Sequence, residues 1–179
     1  MSPGRTLLTQ AQIRARVRQL GSSITRHYRR PSLRGQSPLF LGVMNGALFF
    51  LADLLRAVDL DSEISCVRLA SYTGTQSTRQ LRGLEAMGDS YKGRHVVIVD
   101  DIFDTGHTLA ALAARLHKLG AADVKCCVLL EKQRRHEVAI KPDWVGFKIP
   151  DEFVVGYGLD YNGRYRDLKQ IRVLETPAV

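Results

Sequence analysis

Three carboxylates stand within five positions of one another, Asp100, Asp101 and Asp104, directly after the apolar run Val96-Val97-Ile98-Val99 and just before Thr105-Gly106-His107-Thr108. Adjacent carboxylates accept hydrogen bonds from a ribose diol or hold water-coordinated magnesium. The residues that follow suit a different partner. A helix starting at this turn offers N–H groups and a partial positive charge to a phosphate. Thr105 and Thr108 add hydroxyl donors, and Gly106 lets the backbone approach closely. Such neighbours make sense for one ligand that carries both phosphate and hydroxyls, or that arrives with Mg²⁺. A Walker A loop is excluded, because no Gly-Lys-Ser/Thr follows the turn. One aspartate alone would read as an N-cap or a solvated strand end. Three of them, between a buried strand and a Thr-Gly-x-Thr helix start, point to a site.

The elements that must position these groups can be read from periodicity. Thr9 is placed to cap a helix running to about Tyr28, with Ile13, Val17, Leu20 and Ile24 on one face. A polar connection spans Pro31 to Pro38. Leu39 to Val43 predicts a strand buried on both faces. Met44-Asn45-Gly46 is a turn, and Ala47 to Val58 a helix. Ile64 to Leu69 predicts a second strand. Apolar periodicity then disappears from Ser71 to Lys92, a length that in a compact domain is usually functional. After the strand at Val96–Val99, a helix is expected over His107 to Leu119, ended by Gly120, and another strand over Val124 to Leu130. From Trp144 onward the chain reads as short strands and turns. Strands alternating with helices predict an α/β fold with a parallel, doubly wound sheet, whose ligands bind at the carboxyl ends of the strands.

Composition narrows the function classes. The 179 residues suit one domain, with any second lobe small. No apolar run approaches the roughly 20 residues a membrane helix needs, and the N-terminus lacks the apolar core of a signal peptide. Cys66, Cys126 and Cys127 have no framework spacing, which predicts buried free thiols in a reducing compartment and hence a cytoplasmic chain. The net charge of +8 favours acidic partners, whether nucleic acid or small phosphorylated molecules. Much of it is spread over Arg14, Arg16, Arg18, Arg26, Arg29, Arg30 and Arg34, with Arg134 and Arg135 later, as on a solvated basic face.

The Val96–Leu109 segment resembles the phosphoribosyl-pyrophosphate signature of type I phosphoribosyltransferases: a hydrophobic strand, two acidic residues, a further Asp, then Thr-Gly and Thr. A second block looks like the base-binding region of the hypoxanthine-guanine enzymes. It comprises Lys132, Lys141-Pro142-Asp143-Trp144-Val145-Gly146-Phe147, Ile149-Pro150-Asp151, Phe153 to Tyr161 and Tyr165-Arg166. The resemblance runs from about Leu39 to Leu174. It implies helices on both faces of the sheet and a single domain with a core over about 39–150. A small hood would be built from the N-terminal segment and about 151–179. It also implies purine salvage: phosphoribosyl passes from phosphoribosyl pyrophosphate to hypoxanthine or guanine, giving IMP or GMP and pyrophosphate, with Mg²⁺ as cofactor. A homodimer or homotetramer is expected, with no membrane or nucleic-acid partner.

Residue by residue, the resemblance assigns roles. Asp104 matches the catalytic carboxylate that takes or shares the purine N7 proton, a contribution of about 10²–10⁴-fold. Asp100 and Asp101 match the acidic pair at the ribose hydroxyls and their magnesium, with Asp100 one methylene shorter than the Glu of many relatives. Asp104 to Thr108, His107 included, matches the 5′-phosphate loop. Lys132 matches the donor to the purine 6-oxo group, where a 6-amino group would oppose donor to donor. Phe153 matches the ring stacked on the purine, and Val154 the residue whose backbone reads the base edge. Asp160 matches the ligand of a second magnesium, and Arg166 a pyrophosphate contact. Met44-Asn45-Gly46 matches the pyrophosphate loop, with Asn45 where many relatives carry Lys or Arg. Relatives often have a non-proline cis peptide at this turn, which here falls between Met44 and Asn45. Ser71 and Tyr72 match the start of a lid that excludes water.

Two other readings are compatible with the sequence. One is a regulatory RNA-binding protein on the same fold, using the basic first helix. Lys132, Phe153 and Asp160, all of the types a purine site needs, speak against it. The other is an enzyme of the same class that prefers xanthine; Lys132 disfavours adenine, and the Phe153–Tyr161 run disfavours pyrimidines.

Overall fold

A computed structural model describes residues 2–33, 35–71, 81–82, 87–134 and 138–175. Its strands are Ser2–Leu8 (β1), Leu39–Met44 (β2), Glu63–Arg68 (β3), Ala70–Ser71 (β4), Leu81–Arg82 (β5), His95–Phe103 (β6), Asp123–Lys132 (β7), Trp144–Ile149 (β8), Val154–Val155 (β9) and Ile171–Glu175 (β10). Its helices are Gln10–Tyr28 (α1), Leu48–Ala57 (α2) and His107–Lys118 (α3).

Five strands form a parallel sheet in the order β3-β2-β6-β7-β8. Alternation along each strand gives the sheet two apolar faces. Val97, Val99, Cys127 and Leu129 point to a core shared with Ile13, Val17, Leu20 and Ile24 of α1 and Phe50, Leu51 and Leu54 of α2. Val96, Ile98, Cys126 and Val128 point to the other core, closed by Leu109, Leu112 and Leu116 of α3. Helices therefore cover both faces, as the resemblance implies. β1, β10 and β9 form a separate antiparallel sheet that joins the two ends of the chain.

Chain order and sheet order diverge at β2. From β2 the chain steps outward to β3, then returns to place β6 on the other side of β2. The connections leaving β2 and β6 thus enter helices on opposite faces, and a crevice opens between their carboxyl ends. Ligands of open α/β sheets bind at such a switch point.

Several expectations change. The strand β6 does not end in the two aspartates but continues two residues further, to Phe103, with Asp100 opposite Val128 and Phe103 opposite Glu131. Pairing with β2 ends at Val99, but β7 continues alongside to Phe103, and its ladder outweighs the poor strand preference of Asp. The stretch after Ser71 is not wholly irregular: Ala70–Ser71 pairs with Leu81–Arg82, and Asp89–Tyr91 forms a 3₁₀ turn. The N-terminal segment forms β1, which its Ser-Pro-Gly-Arg composition does not announce; pairing with β10 holds it. Cys66 is exposed rather than buried, whereas Cys126 and Cys127 are buried. It lies on the edge strand β3, and α2 does not reach over that far.

Candidate active site

The crevice is a cavity of about 310 Å³. Its lining includes Met44 and Gly46 after β2, Asp100, Asp101 and Phe103 from β6, Asp104, Thr105, Gly106 and Thr108 at the start of α3, and Asp160 and Arg166. Ten of the residues expected from sequence therefore share one cavity wall.

The carboxylate pair is its most costly feature. Asp100 is only 5% exposed, and its Oδ1 accepts the Asp101 N–H at 3.0 Å. Among the described residues, no lysine or arginine forms an ion pair with Asp100, while the Arg166 charge acts on Asp101. Burial, and then the neighbouring Asp101, hold the Asp100 carboxyl well above the usual carboxylate range. Burial also raises Asp101. Two crowded carboxyls cannot both ionise cheaply without a cation. Among the described residues, no three His, Cys, Asp or Glu side chains converge to hold a metal by themselves. Magnesium characteristically takes one or two protein carboxylates and completes its shell with substrate phosphates and water. The pair fits an ion of that kind.

The phosphate-facing end is built by the backbone. Helix α1, remote from the crevice, has a full capping box between Thr9 and Gln12. Helix α3 has none: its cap position is Gly106, left-handed at φ +91°, with no side-chain cap bond. Its first-turn N–H donors are thus not claimed by a capping side chain. Glycine is needed here for that φ, and also because a Cβ would overlap Val138 and the Phe103 ring.

Asp104 sits in a four-member ion network. Its Oδ2 lies 3.4 Å from Nζ of Lys132, at the end of β7, and its Oδ1 lies 3.1 Å from Nη1 of Arg134. Lys132 also reaches Oδ1 of Asp151 at 3.1 Å, and Arg134 reaches Oδ2 of Asp151 at 3.6 Å. Lys132 and Arg134 hold the Asp151 carboxyl below its ordinary value. Across the crevice Arg166 pairs with Asp160 at 2.5 Å and donates to the Gly158 carbonyl. Asp160 also accepts the Gly163 N–H at 2.7 Å.

The remaining expected residues are not among those lining this cavity. Asn45 is exposed at the turn, and the Met44–Asn45 peptide is cis. His107 opens α3. Phe153 is 53% exposed and meets Tyr161 edge-on, centroids 5.9 Å apart. A ring this open has a face to offer and is no core residue. Val154 is buried in β9, opposite Val173. The backbone of Ser71 is paired in β4; Tyr72 lies outside the described residues. Sequence reasoning assigned no role to Arg134, Asp151 or Gly158. A Cβ on Gly158 would overlap the Gly46 carbonyl, so the two backbones touch across the crevice. Gly158 and Asp151 stand inside the base-binding block, and that position was the available signal.

Comparison with known proteins agrees with this geometry. The phosphoribosyl transferase domain family matches residues 5–162. A hypoxanthine phosphoribosyltransferase of Haemophilus influenzae is 39% identical over 166 residues, 92% of each chain. A crystal structure of a hypoxanthine-guanine phosphoribosyltransferase from Bacillus anthracis, with HEPES in its active site, superposes with a TM-score of 0.88 at 32% identity. The match covers 97% of this chain and 100% of that one. Hypoxanthine phosphoribosyltransferase from Trypanosoma cruzi, in complex with the product IMP, gives 0.88 at 35% identity, over 97% and 95%. With its fold and nearly its whole length in common with these enzymes, the chain belongs to the type I phosphoribosyltransferase family, on its hypoxanthine-guanine branch.

Proposed function

We propose that this chain is a purine-salvage transferase that moves phosphoribosyl from phosphoribosyl pyrophosphate to hypoxanthine or guanine, yielding IMP or GMP and pyrophosphate. One observation carries the reading: the adjacent carboxylates Asp100 and Asp101, Asp104 against Lys132, and a helix start with no side-chain cap all converge on one crevice.

In this reading the start of α3, with Thr105 and Thr108, binds the 5′-phosphate. Asp100 and Asp101 would hold the ribose hydroxyls and magnesium, with Asp160 at a second metal position. Magnesium held there would supply positive charge toward the leaving pyrophosphate. Met44-Asn45-Gly46 and Arg166 receive that pyrophosphate. The purine stacks on Phe153, the Val154 backbone reads its edge, and Lys132 donates to its 6-oxo oxygen. To do so Lys132 turns from Asp104 while Asp151 keeps it at the site. Asp104, relieved of one cation, accepts or shares the N7 proton. The purine nitrogen then forms its bond to ribose C1 as the bond to pyrophosphate oxygen breaks. Ser71 and Tyr72 begin the segment that shields the reacting carbon from water. Assembly as a homodimer or homotetramer belongs to the same reading. No described helix is long and apolar enough to cross a membrane, and free thiols suit the reducing cytoplasm.

The test is turnover with phosphoribosyl pyrophosphate, Mg²⁺ and hypoxanthine, guanine, xanthine or adenine in parallel. Nucleotide from hypoxanthine and guanine but not adenine is expected. A dominant rate with xanthine would correct the base preference, and no product with any base would overturn the reading in favour of a same-fold RNA-binding protein.

A further inference from the structure

Tyr157 is outside the cavity wall, yet it ties the two sides of the crevice together. Its hydroxyl donates to Oδ2 of Asp53, in the middle of α2, at 2.7 Å. Its ring lies tilted against Phe49, centroids 6.3 Å apart. The side chain is buried, and the backbone is left-handed at φ +51°, between Gly156 at +103° and Gly158 at +105°. A residue with a Cβ holds such a φ where its surroundings over-determine it. Here the Tyr157 N–H bonds the Leu168 carbonyl at 2.7 Å and the Gly158 N–H bonds the Arg166 carbonyl at 3.0 Å. Burial, and then the bond to Asp53, push the phenol well above its ordinary pKa. The hydroxyl therefore stays a donor at neutral pH.

The connectivity gives this bond its meaning. Helix α2 leads directly out of the Met44-Asn45-Gly46 turn. Tyr157 lies between Phe153 and Asp160 in the base-side segment. Beside it, Gly158 packs on the Gly46 carbonyl with no room for a Cβ. One backbone contact and one side-chain bond thus fasten the 153–161 segment to the turn and its helix. We infer that Tyr157 and Asp53 are positioning residues, whose hydrogen bond sets the separation between the pyrophosphate turn and the base-binding segment. The inference rests on the salvage reading above. Reacting groups misplaced by about 1 Å can cost a large factor in rate, so this separation matters to the transfer even though neither side chain touches substrate.

A bond of only structural value would lower the melting temperature and leave the folded enzyme's constants unchanged. Tyr157→Phe keeps the ring and removes the hydroxyl. Asp53→Ala removes the acceptor, and Asp53→Asn keeps an acceptor oxygen. Kinetics are measured with phosphoribosyl pyrophosphate and hypoxanthine varied independently, well below the melting temperature of the least stable variant. Tyr157→Phe and Asp53→Ala should each lower kcat/KM roughly tenfold, about what losing a hydrogen bond to a charged group is worth. KM should rise for both substrates, the double variant should be no worse than either single one, and Asp53→Asn should stay close to wild type. Unchanged constants in Tyr157→Phe, losses that multiply in the double variant, or Asp53→Asn as impaired as Asp53→Ala would overturn the inference. Should Asp53→Ala fail to fold, Tyr157→Phe against Asp53→Asn makes the same comparison. A wild type inactive with every oxopurine would instead overturn the salvage reading, and the inference with it.

Discussion

Replacing Asp100 with asparagine should make the metal-free protein more stable and the enzyme worse. Asp100 is 5% exposed, its carboxylate adjoins that of Asp101, and no described lysine or arginine pairs with it. The replacement amide is the same size and could still accept the Asp101 N–H. Its NH₂ group could also donate to the Asp101 carboxylate, as the protonated Asp100 carboxyl does, but with no proton to lose as pH rises and the contact of the two carboxylates turns repulsive. An uncompensated buried polar group costs about 1–3 kcal/mol, and more when charged. A gain of about 2 kcal/mol is therefore expected, or ~4–8 °C in melting temperature for a chain of this size. The pH dependence has a definite sign. A carboxyl whose folded pKa is raised contributes stability that is fully present below its unfolded pKa and is lost as pH rises through the folded value. Metal-free wild type should thus lose stability above the usual carboxylate range, and the advantage of Asp100→Asn should widen with pH. Ligand works in the opposite direction. At 100 times its dissociation constant, Mg²⁺-phosphoribosyl pyrophosphate stabilises wild type by about 2.7 kcal/mol, whereas a variant binding 100-fold more weakly gains about 0.4 kcal/mol at the same concentration. Thermal melts from pH 5 to 8, with and without the ligand, read all of this. A variant less stable than wild type without metal, or equal ligand-induced gains in both proteins, would refute the reasoning.

Asp104→Asn should leave nucleotide binding largely intact while slowing turnover by about 10²–10⁴-fold; unchanged single-turnover rates would remove Asp104 from proton transfer. Lys132→Ala should raise KM for hypoxanthine and guanine far more than for phosphoribosyl pyrophosphate, and equal effects on all substrates would count against the 6-oxo contact. Gly158→Ala puts a Cβ against the Gly46 carbonyl at φ +105°. It should destabilise by at least ~1–2 kcal/mol from the backbone alone and weaken pyrophosphate binding measured by calorimetry. A bulky thiol reagent should modify one cysteine, Cys66, in the native protein and three after denaturation, because Cys126 and Cys127 are buried.

Much of the frame was legible in the linear order. Helix α1 could be placed from Thr9 and the spacing of Ile13, Val17, Leu20 and Ile24, because cap and period are local signals. β2, β6, α3 and β7 were equally plain, and their alternation set the sheet class. The cluster Asp100, Asp101, Asp104, Thr105 and Gly106 could be recognised as a site because the turn between β6 and α3 places those groups together within a few residues.

Other features depend on residues far apart in the chain. β1 is a strand because β10 stands beside it, and no propensity of Ser2–Leu8 says so. Asp100 and Asp101 stay in strand geometry because β7 continues alongside them. Arg134 and Asp151 enter the site through ion pairs that close only when β7 and the loop after β8 fold onto the start of α3. Tyr157 and Asp53, 104 positions apart, meet through the packing of the 153–161 segment against α2. A chemical type and a local period are written into a few neighbouring residues. A distance between two side chains is set by the packing of every element between them, and it exists only once that packing is complete.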